Sequence, residues 1–278
     1  MRVKKVINNN IVVSLDHSNQ ELIVMGKGIG FKRKAGDEVD AAAIEKVYSI
    51  TKEWNMSKLT NLLSAIPLEE IQVANDIISF AKVSLGKKLS ENLFLTLSDH
   101  IHFALERHQE GIQLKNALLW EIKRFYNHEF LIGKEALSMI QSRLQISLPE
   151  DEAGFIALHI VNAELSGSEV NQVSEMTQTI QAILNIVKYH FNMELDEYSL
   201  NFERFVTHLK FFVQRVFTDV HLDGDETAGF MFMLKDKYPK EYQCALKIGE
   251  YIQKQFGRKL DNDELIYLTI HIKRITSE

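Results

Sequence analysis

Four of the ten histidines in this 278-residue chain stand in spacings that occur twice. Asp99-His-Ile-His-Phe-Ala-Leu-Glu-Arg107 corresponds to Thr207-His-Leu-Lys-Phe-Phe-Val-Gln-Arg215, each with a phenylalanine three residues after the histidine and an arginine seven residues after it. Asp151-Glu-Ala-Gly-Phe-Ile-Ala-Leu-His159 corresponds to Asp263-Glu-Leu-Ile-Tyr-Leu-Thr-Ile-His271, each opening on Asp-Glu with an aromatic four residues before the histidine. The offsets, 208 − 100 = 108 and 271 − 159 = 112, are those of a duplicated unit. Each copy therefore carries one pair, His100 with His159 and His208 with His271. The remaining histidines (His17, His102, His108, His128, His190, His221) have no counterpart and read as surface or packing residues.

Three chemistries suit a repeated histidine pair. Metal ligands would need further donors nearby, but there is no HExxH and only one cysteine, Cys244. Core histidines satisfied by hydrogen bonds fit the apolar character of both segments. Phosphoryl acceptors need a neutral imidazole and a cation close by. Arg107 and Arg215 lie about two helical turns from His100 and His208 on the same stripe. A phosphorylated imidazole gains a charge of about −2, which a guanidinium can bind bidentately. On the residues alone all three remain open. Other catalysis finds little footing: there is no G-x-S-x-G and no GxxxxGK[ST]. Gly26-Lys-Gly-Ile-Gly lacks the third glycine and following helix of a dinucleotide loop, and reads as a bend in a sheet.

A second group of residues suits nucleic acid. Residues 1–34 hold seven basic and two acidic side chains, about +5, so the other 244 residues sum to about −11 of the formal −6 total. A basic head on an acidic body implies a polyanion partner for the head alone. The amides of Asn8, Asn9 and Asn10 can bond base edges and sugar hydroxyls. Phe31 beside Lys32-Arg33-Lys34 can stack, and Gly26 and Gly28 permit close backbone approach. Such a surface suits RNA loops better than a DNA major groove, for which no recognition helix is present.

These groups must be positioned by two kinds of structure. Val3–Ile7, Ile11–Leu15, Glu21–Met25 and Ile44–Tyr48 are short β-branched runs between turn formers, predicting a small antiparallel sheet. So small a sheet would gain by pairing with a second copy. From Asn55 onward the period is helical. Ile71, Ala74, Ile78, Ala81 and Leu85 precede a stop at Gly86, and Leu148-Pro149-Glu-Asp-Glu is a helix start. Further helices are predicted over 94–110, 115–126, 134–145, 172–190, 199–218, 239–256 and 262–275, with a joint at Gly167–Gln172. Three prolines, about 1% against a usual ~5%, agree with a helical body. The expected fold is multi-domain: a small all-β antiparallel N-terminal domain followed by two homologous all-α helical bundles. The expected boundaries are 1–55 for the head, 56–66 for a linker helix, and 67–170 and 171–278 for the bundles. A lone cysteine, no apolar run near 18 residues and no signal-like start predict a soluble, cytoplasmic protein without membrane insertion.

Val6-Ile-Asn-Asn-Asn10, Val24-Met-Gly-Lys-Gly-Ile-Gly-Phe31 and Ile44-Glu-Lys-Val-Tyr48 resemble the RNA-binding domain of the BglG/LicT family of bacterial transcriptional antiterminators. Leu97-Ser-Asp-His100, Asn116-Ala-Leu-Leu-Trp120, Leu148 to His159 and Val206-Thr-His-Leu-Lys210 resemble its two phosphotransferase-system regulation domains. The resemblance runs essentially end to end. It implies a homodimer whose head grips an RNA hairpin overlapping a terminator. It also implies control by histidine phosphorylation, with the phosphocarrier protein HPr and a sugar-specific permease as partners, and neither enzymatic activity, cofactor nor metal. By position, Lys5, Asn8, Asn10, Gly26, Lys27 and Phe31 are the implied RNA-binding residues, and His100, His159, His208 and His271 the implied phosphorylation sites. The family commonly has arginine where this chain has Lys27, which keeps the charge but not the planar fork. The contrasting reading is a metal-dependent hydrolase built on the four repeated histidines, with the basic head binding an anionic substrate.

Overall fold

Alternation along two central strands decides where the head sits. In the computed structural model, which describes residues 1–16, 18–49, 62–165, 170–218 and 228–277, four antiparallel strands run in chain order: β1 (Arg2–Asn8), β2 (Ile11–Leu15), β3 (Glu21–Met25) and β4 (Lys46–Ser49). Val12 pairs with Val24 and Val13 with Ile23, so successive side chains face opposite sides. Val3, Val12, Leu22, Val24 and Ile29 close one small core. Ile11, Ile23 and Met25, on the other face, join a larger core with Leu63, Ile66 and Ile71. The sheet's second face is thus covered by helices of its own chain. The linker helix expected at 56–66 lies largely outside the described residues; 62–65 are helical.

The helices follow the predicted periodicity. They are α1 (Leu68–Leu85), α2 (Leu93–Gln109), α3 (Leu119–Phe125), α4 (Asn127–Leu144), α5 (Glu150–Glu164), α6 (Val170–Phe191), α7 (Leu200–Thr218), α8 (Ala228–Lys237), α9 (Pro239–Phe256) and α10 (Asn262–Thr276). Gly86 ends α1 in the left-handed region (φ 62°), where a side chain would be strained. Pro149 precedes α5, whose first turn carries Glu150, Asp151 and Glu152. Helix α8 falls where no helix was predicted. The expected joint at 167–172 lies partly outside the described residues.

Duplication is visible in the pairings. α1 packs on α2 and α4, and α5 on α2 and α4; in the same order α6 packs on α7 and α9, and α10 on α7 and α9. The chain divides into two compact units, Met1–Leu119 with Tyr126–Ser168, and Trp120–Phe125 with Glu169–Glu278. Residues 120–125 count with the second unit because Arg124 lies over the Phe202 ring, 4.2 Å from its centroid, and pairs with Glu197. Among the described residues no helix is long and apolar enough to cross a membrane.

Candidate functional site

In the first unit, α2 and α5 cross so that four residues of the repeat meet. His100 and His159 have ring centroids 4.9 Å apart at 42°. Between His100 and Arg107 lies Glu152, only 3% exposed. Its Oε1 accepts from Arg107 Nη2 at 3.0 Å, and its Oε2 lies 3.0 Å from His100 Nε2. That second contact is close but off the hydrogen-bonding direction, and both atoms are buried with no other hydrogen bond. Burial raises the Glu152 carboxyl, but the close contacts and charges of His100 and Arg107 outweigh it, so the group is held below the usual glutamate range. Burial, with His100 alongside, lowers His159 to about 3, so that ring is neutral at pH 7. Asp151, at the start of α5, accepts from the Asn116 backbone N–H at 2.8 Å, and this bond leads the lowering of its pKa.

The second unit repeats the plan with altered partners. His208 and His271 stack at 3.6 Å and 28°. Glu264, wholly buried, stands where Glu152 stands in the first repeat, seven residues before the histidine. Its strong partner is Arg258, whose Nη2 donates to Oε1 at 2.9 Å, while Arg215 Nε is 4.0 Å away. Arg258 also donates to the Arg215 carbonyl. Arg215 instead covers Tyr267, its guanidinium 4.9 Å from the ring centroid. The Tyr267 oxygen lies 3.0 Å from His208 Nδ1, and its hydroxyl donates to the His208 carbonyl at 3.1 Å. Burial, then His208 and Arg274, bring His271 down to about 4, and burial with Arg274 lowers His208.

All four histidines singled out by the repeat are therefore paired in space, and each repeated arginine reaches a neighbour of its pair, Arg107 bonding Glu152 and Arg215 covering Tyr267. Sequence reasoning missed Glu152 and Glu264, reading them only as helix-start acids. The signal was present: each stands seven residues before its histidine, hence on the same stripe. Among the described residues no group of three histidine, cysteine, aspartate or glutamate side chains is placed to hold a metal. In each cluster a guanidinium bonds one oxygen of the buried carboxylate. Cys244 is buried, its thiol pushed up to about 12, chiefly by desolvation.

The basic head gathers its candidates around two interlocked turns. Gly26 N–H donates to the Asn10 carbonyl at 3.0 Å, Gly28 N–H to Asn10 Oδ1 at 2.9 Å, and Gly30 N–H to the Asn9 carbonyl at 2.9 Å. A Cβ on Gly26 would stand 1.8 Å from the Ala43 carbonyl oxygen, so only glycine fits. Lys5 and Lys27 are exposed, and Phe31, 56% exposed, carries the Lys32 ammonium 5.3 Å from its ring centroid. Asn8 is turned inward: its Nδ2 donates to the Leu63 carbonyl and its Oδ1 accepts from Asn10 N–H.

Comparison with known proteins agrees with this division. Residues 1–57 match the CAT RNA binding domain, and residues 75–163 and 181–275 each match the PRD domain. The chain is 49% identical to the transcription antiterminator LicT of Bacillus subtilis (strain 168), covering all of both chains. It is 45% identical to the beta-glucoside operon antiterminator of Dickeya chrysanthemi, covering all of this chain and 98% of that one. The crystal structure of GlcT CAT-PRDI, 35% identical, superposes with a TM-score of 0.51 over 59% of this chain and 97% of that one. An RNA-binding sheet followed by two copies of a histidine-bearing bundle, matched end to end, places this chain in the BglG/LicT family of transcriptional antiterminators.

Proposed function

We propose that the chain is a cytoplasmic, homodimeric antiterminator that binds an RNA hairpin overlapping a terminator and is controlled by histidine phosphorylation from the sugar phosphotransferase system. The observation that carries this reading is the duplicated His–Arg–Glu–His cluster behind a basic RNA-binding sheet. Lys5, Asn10, Lys27 and Phe31 contact the RNA, while Gly26 and Asn8 shape the loop that presents them. His100, His159, His208 and His271 receive phosphate, from a sugar permease in the first bundle and from HPr in the second. Neutral rings at His159 and His271 keep a lone pair available at pH 7, and Arg107 and Arg215 reach the residues these pairs touch, Glu152 and Tyr267. The functional boundaries are 1–55 for the head, 56–66 for the linker, and 67–170 and 171–278 for the regulation domains.

Two measurements on the full chain test this. Selection from a randomised RNA hairpin pool should enrich hairpins with unpaired loop bases, and the winners should raise readthrough of a linked terminator. Incubation with phosphorylated HPr should leave acid-labile, alkali-stable phosphate on histidine. Equal binding to matched DNA and RNA hairpins, or no histidine phosphate, would overturn the reading.

A further inference from the structure

Phe155 and Tyr267 occupy the same repeat position, four residues before the second histidine, and differ by one hydroxyl. That hydroxyl lies against both the His208 ring and the His208 carbonyl. The Tyr267 hydroxyl donates its single hydrogen to the His208 carbonyl at 3.1 Å. The Tyr267 oxygen, 3.0 Å from His208 Nδ1, is then the acceptor for an Nδ1–H. In the neutral ring this leaves the lone pair on Nε2.

The first repeat has no such hydroxyl, and His100 faces Glu152 instead. Nε2 stands 3.0 Å from Oε2, with both atoms buried. An ionised carboxylate can only accept, so the nearby ring nitrogen is favoured as N–H and the lone pair moves to Nδ1. The same carboxylate repels an incoming phosphoryl group, and burial denies it a path to Nε2. His100 and Arg107 together outweigh burial and hold the Glu152 carboxyl below the usual range, in its charged form.

We infer that the two repeats present opposite ring nitrogens for phosphorylation, Nε2 on His208 and Nδ1 on His100, with Tyr267 and Glu152 as the positioning residues that decide it. The inference rests on reading these histidines as phosphoryl acceptors. In the transfer, the imidazole lone pair forms a nitrogen–phosphorus bond as the donor's own nitrogen–phosphorus bond breaks. The donor nitrogen leaves with that electron pair and takes up a proton from solvent. The acceptor ring then releases the proton on its other nitrogen to solvent, so no oxidant or further reactant is needed. A donor aligned for one nitrogen meets the wrong side of the ring in the other repeat, giving a stereochemical basis for the two domains to answer different donors.

The test uses the full chain with 15N in its imidazoles and long-range proton–nitrogen NMR, with single histidine substitutions for assignment. Before modification, His208 should show the Nδ1–H tautomer and His100 the Nε2–H tautomer. Potassium phosphoramidate should then place phosphate on Nε2 of His208 and Nδ1 of His100, and phosphorylated HPr should place it on Nε2 of His208. Tyr267→Phe removes one oxygen and installs the residue the first repeat already carries. It should cut the Nδ1–H preference at His208 by about tenfold, the net worth of one hydrogen bond, and yield both phosphoisomers. Glu152→Gln should likewise mix the isomers at His100. The same tautomer at both histidines, or phosphate on the same nitrogen of both, would overturn the inference. Opposed tautomers with no phosphate from either donor would instead overturn the phosphoacceptor reading on which it rests.

Discussion

His208 and His271 lie face to face at 3.6 Å, close enough that the two rings cannot readily be charged together. At an effective dielectric of about 20, two unit charges at that distance repel by roughly 4–5 kcal/mol. Burial, with repulsion of this kind added to it, keeps His271 near 4, and the looser His100–His159 pair shares the trend.

This makes stability depend on pH in a defined direction. Both folded values are lowered, so the unfolded chain binds more protons wherever pH lies between the folded value and about 6.5. The contribution is fully present above pH ~6.5 and is lost as pH falls towards 4. Between pH 6.5 and 5 the lowered carboxylates Glu152 and Asp151 add nothing, since they lose theirs only further down, while the raised carboxyls Glu70, Asp99 and Glu164 act in the opposite sense to the histidines. Thermal unfolding of the full chain should show a loss of about 1–3 kcal/mol on going from pH 7.5 to 5, and His271→Gln should flatten it. A wild-type profile already flat across that range would refute the assignment.

Removing the two repeated carboxylates should not cost the same. Glu264→Gln removes the charge bonded to Arg258, whose side chain is 7% exposed, and should cost about 3–5 kcal/mol. Glu152→Gln leaves Arg107, 26% exposed, able to rehydrate and should cost less. Urea denaturation of both variants decides the order; a larger loss at Glu152 would contradict it.

In the head, Gly26→Ala and Gly28→Ala separate packing from conformation. The first drives a Cβ into the Ala43 carbonyl and should cost roughly 1–3 kcal/mol with loss of RNA binding. The second meets nothing within 4 Å and pays only for φ +72°, about 1–2 kcal/mol. Lys5→Ala should weaken all RNA hairpins evenly and lower the salt slope of binding by about one. Titrations at several salt concentrations check all three, and an unchanged slope for Lys5→Ala would remove it from the interface.

Charge at the two pairs should act in opposite directions. Asp at position 208 or 271, introduced as His208→Asp or His271→Asp, places a negative group near Arg215 and Arg274 and should raise terminator readthrough without HPr. His100→Asp sets a carboxylate against the buried Glu152 and beside Asp99 and should lower readthrough even with inducer present. Moving such a balance from 1:99 to 99:1 takes about 5.5 kcal/mol. Readthrough shifting the same way for His100→Asp and His208→Asp would rule the opposed switch out.

Much of this was legible without coordinates, because it is written in local periods. Strand alternation at Ile11–Leu15 and Glu21–Met25, the helix stop at Gly86 and the start at Pro149 depend on neighbours a few residues away. The histidine pairs and their arginines were legible for a different reason: duplication marked them by comparing the chain with itself. Tertiary structure alone decided what those rings face. His100 and Glu152 are 52 residues apart, and His208 and Tyr267 59, so their contacts depend on how two helices cross. Asn8 reads as a free amide until Leu63, 55 residues on, takes it inward. Residues 120–125 read as part of the first repeat until Arg124 stacks on Phe202. Periodicity says which side of an element is buried, but a contact between distant elements follows from packing geometry, which no short window of sequence contains.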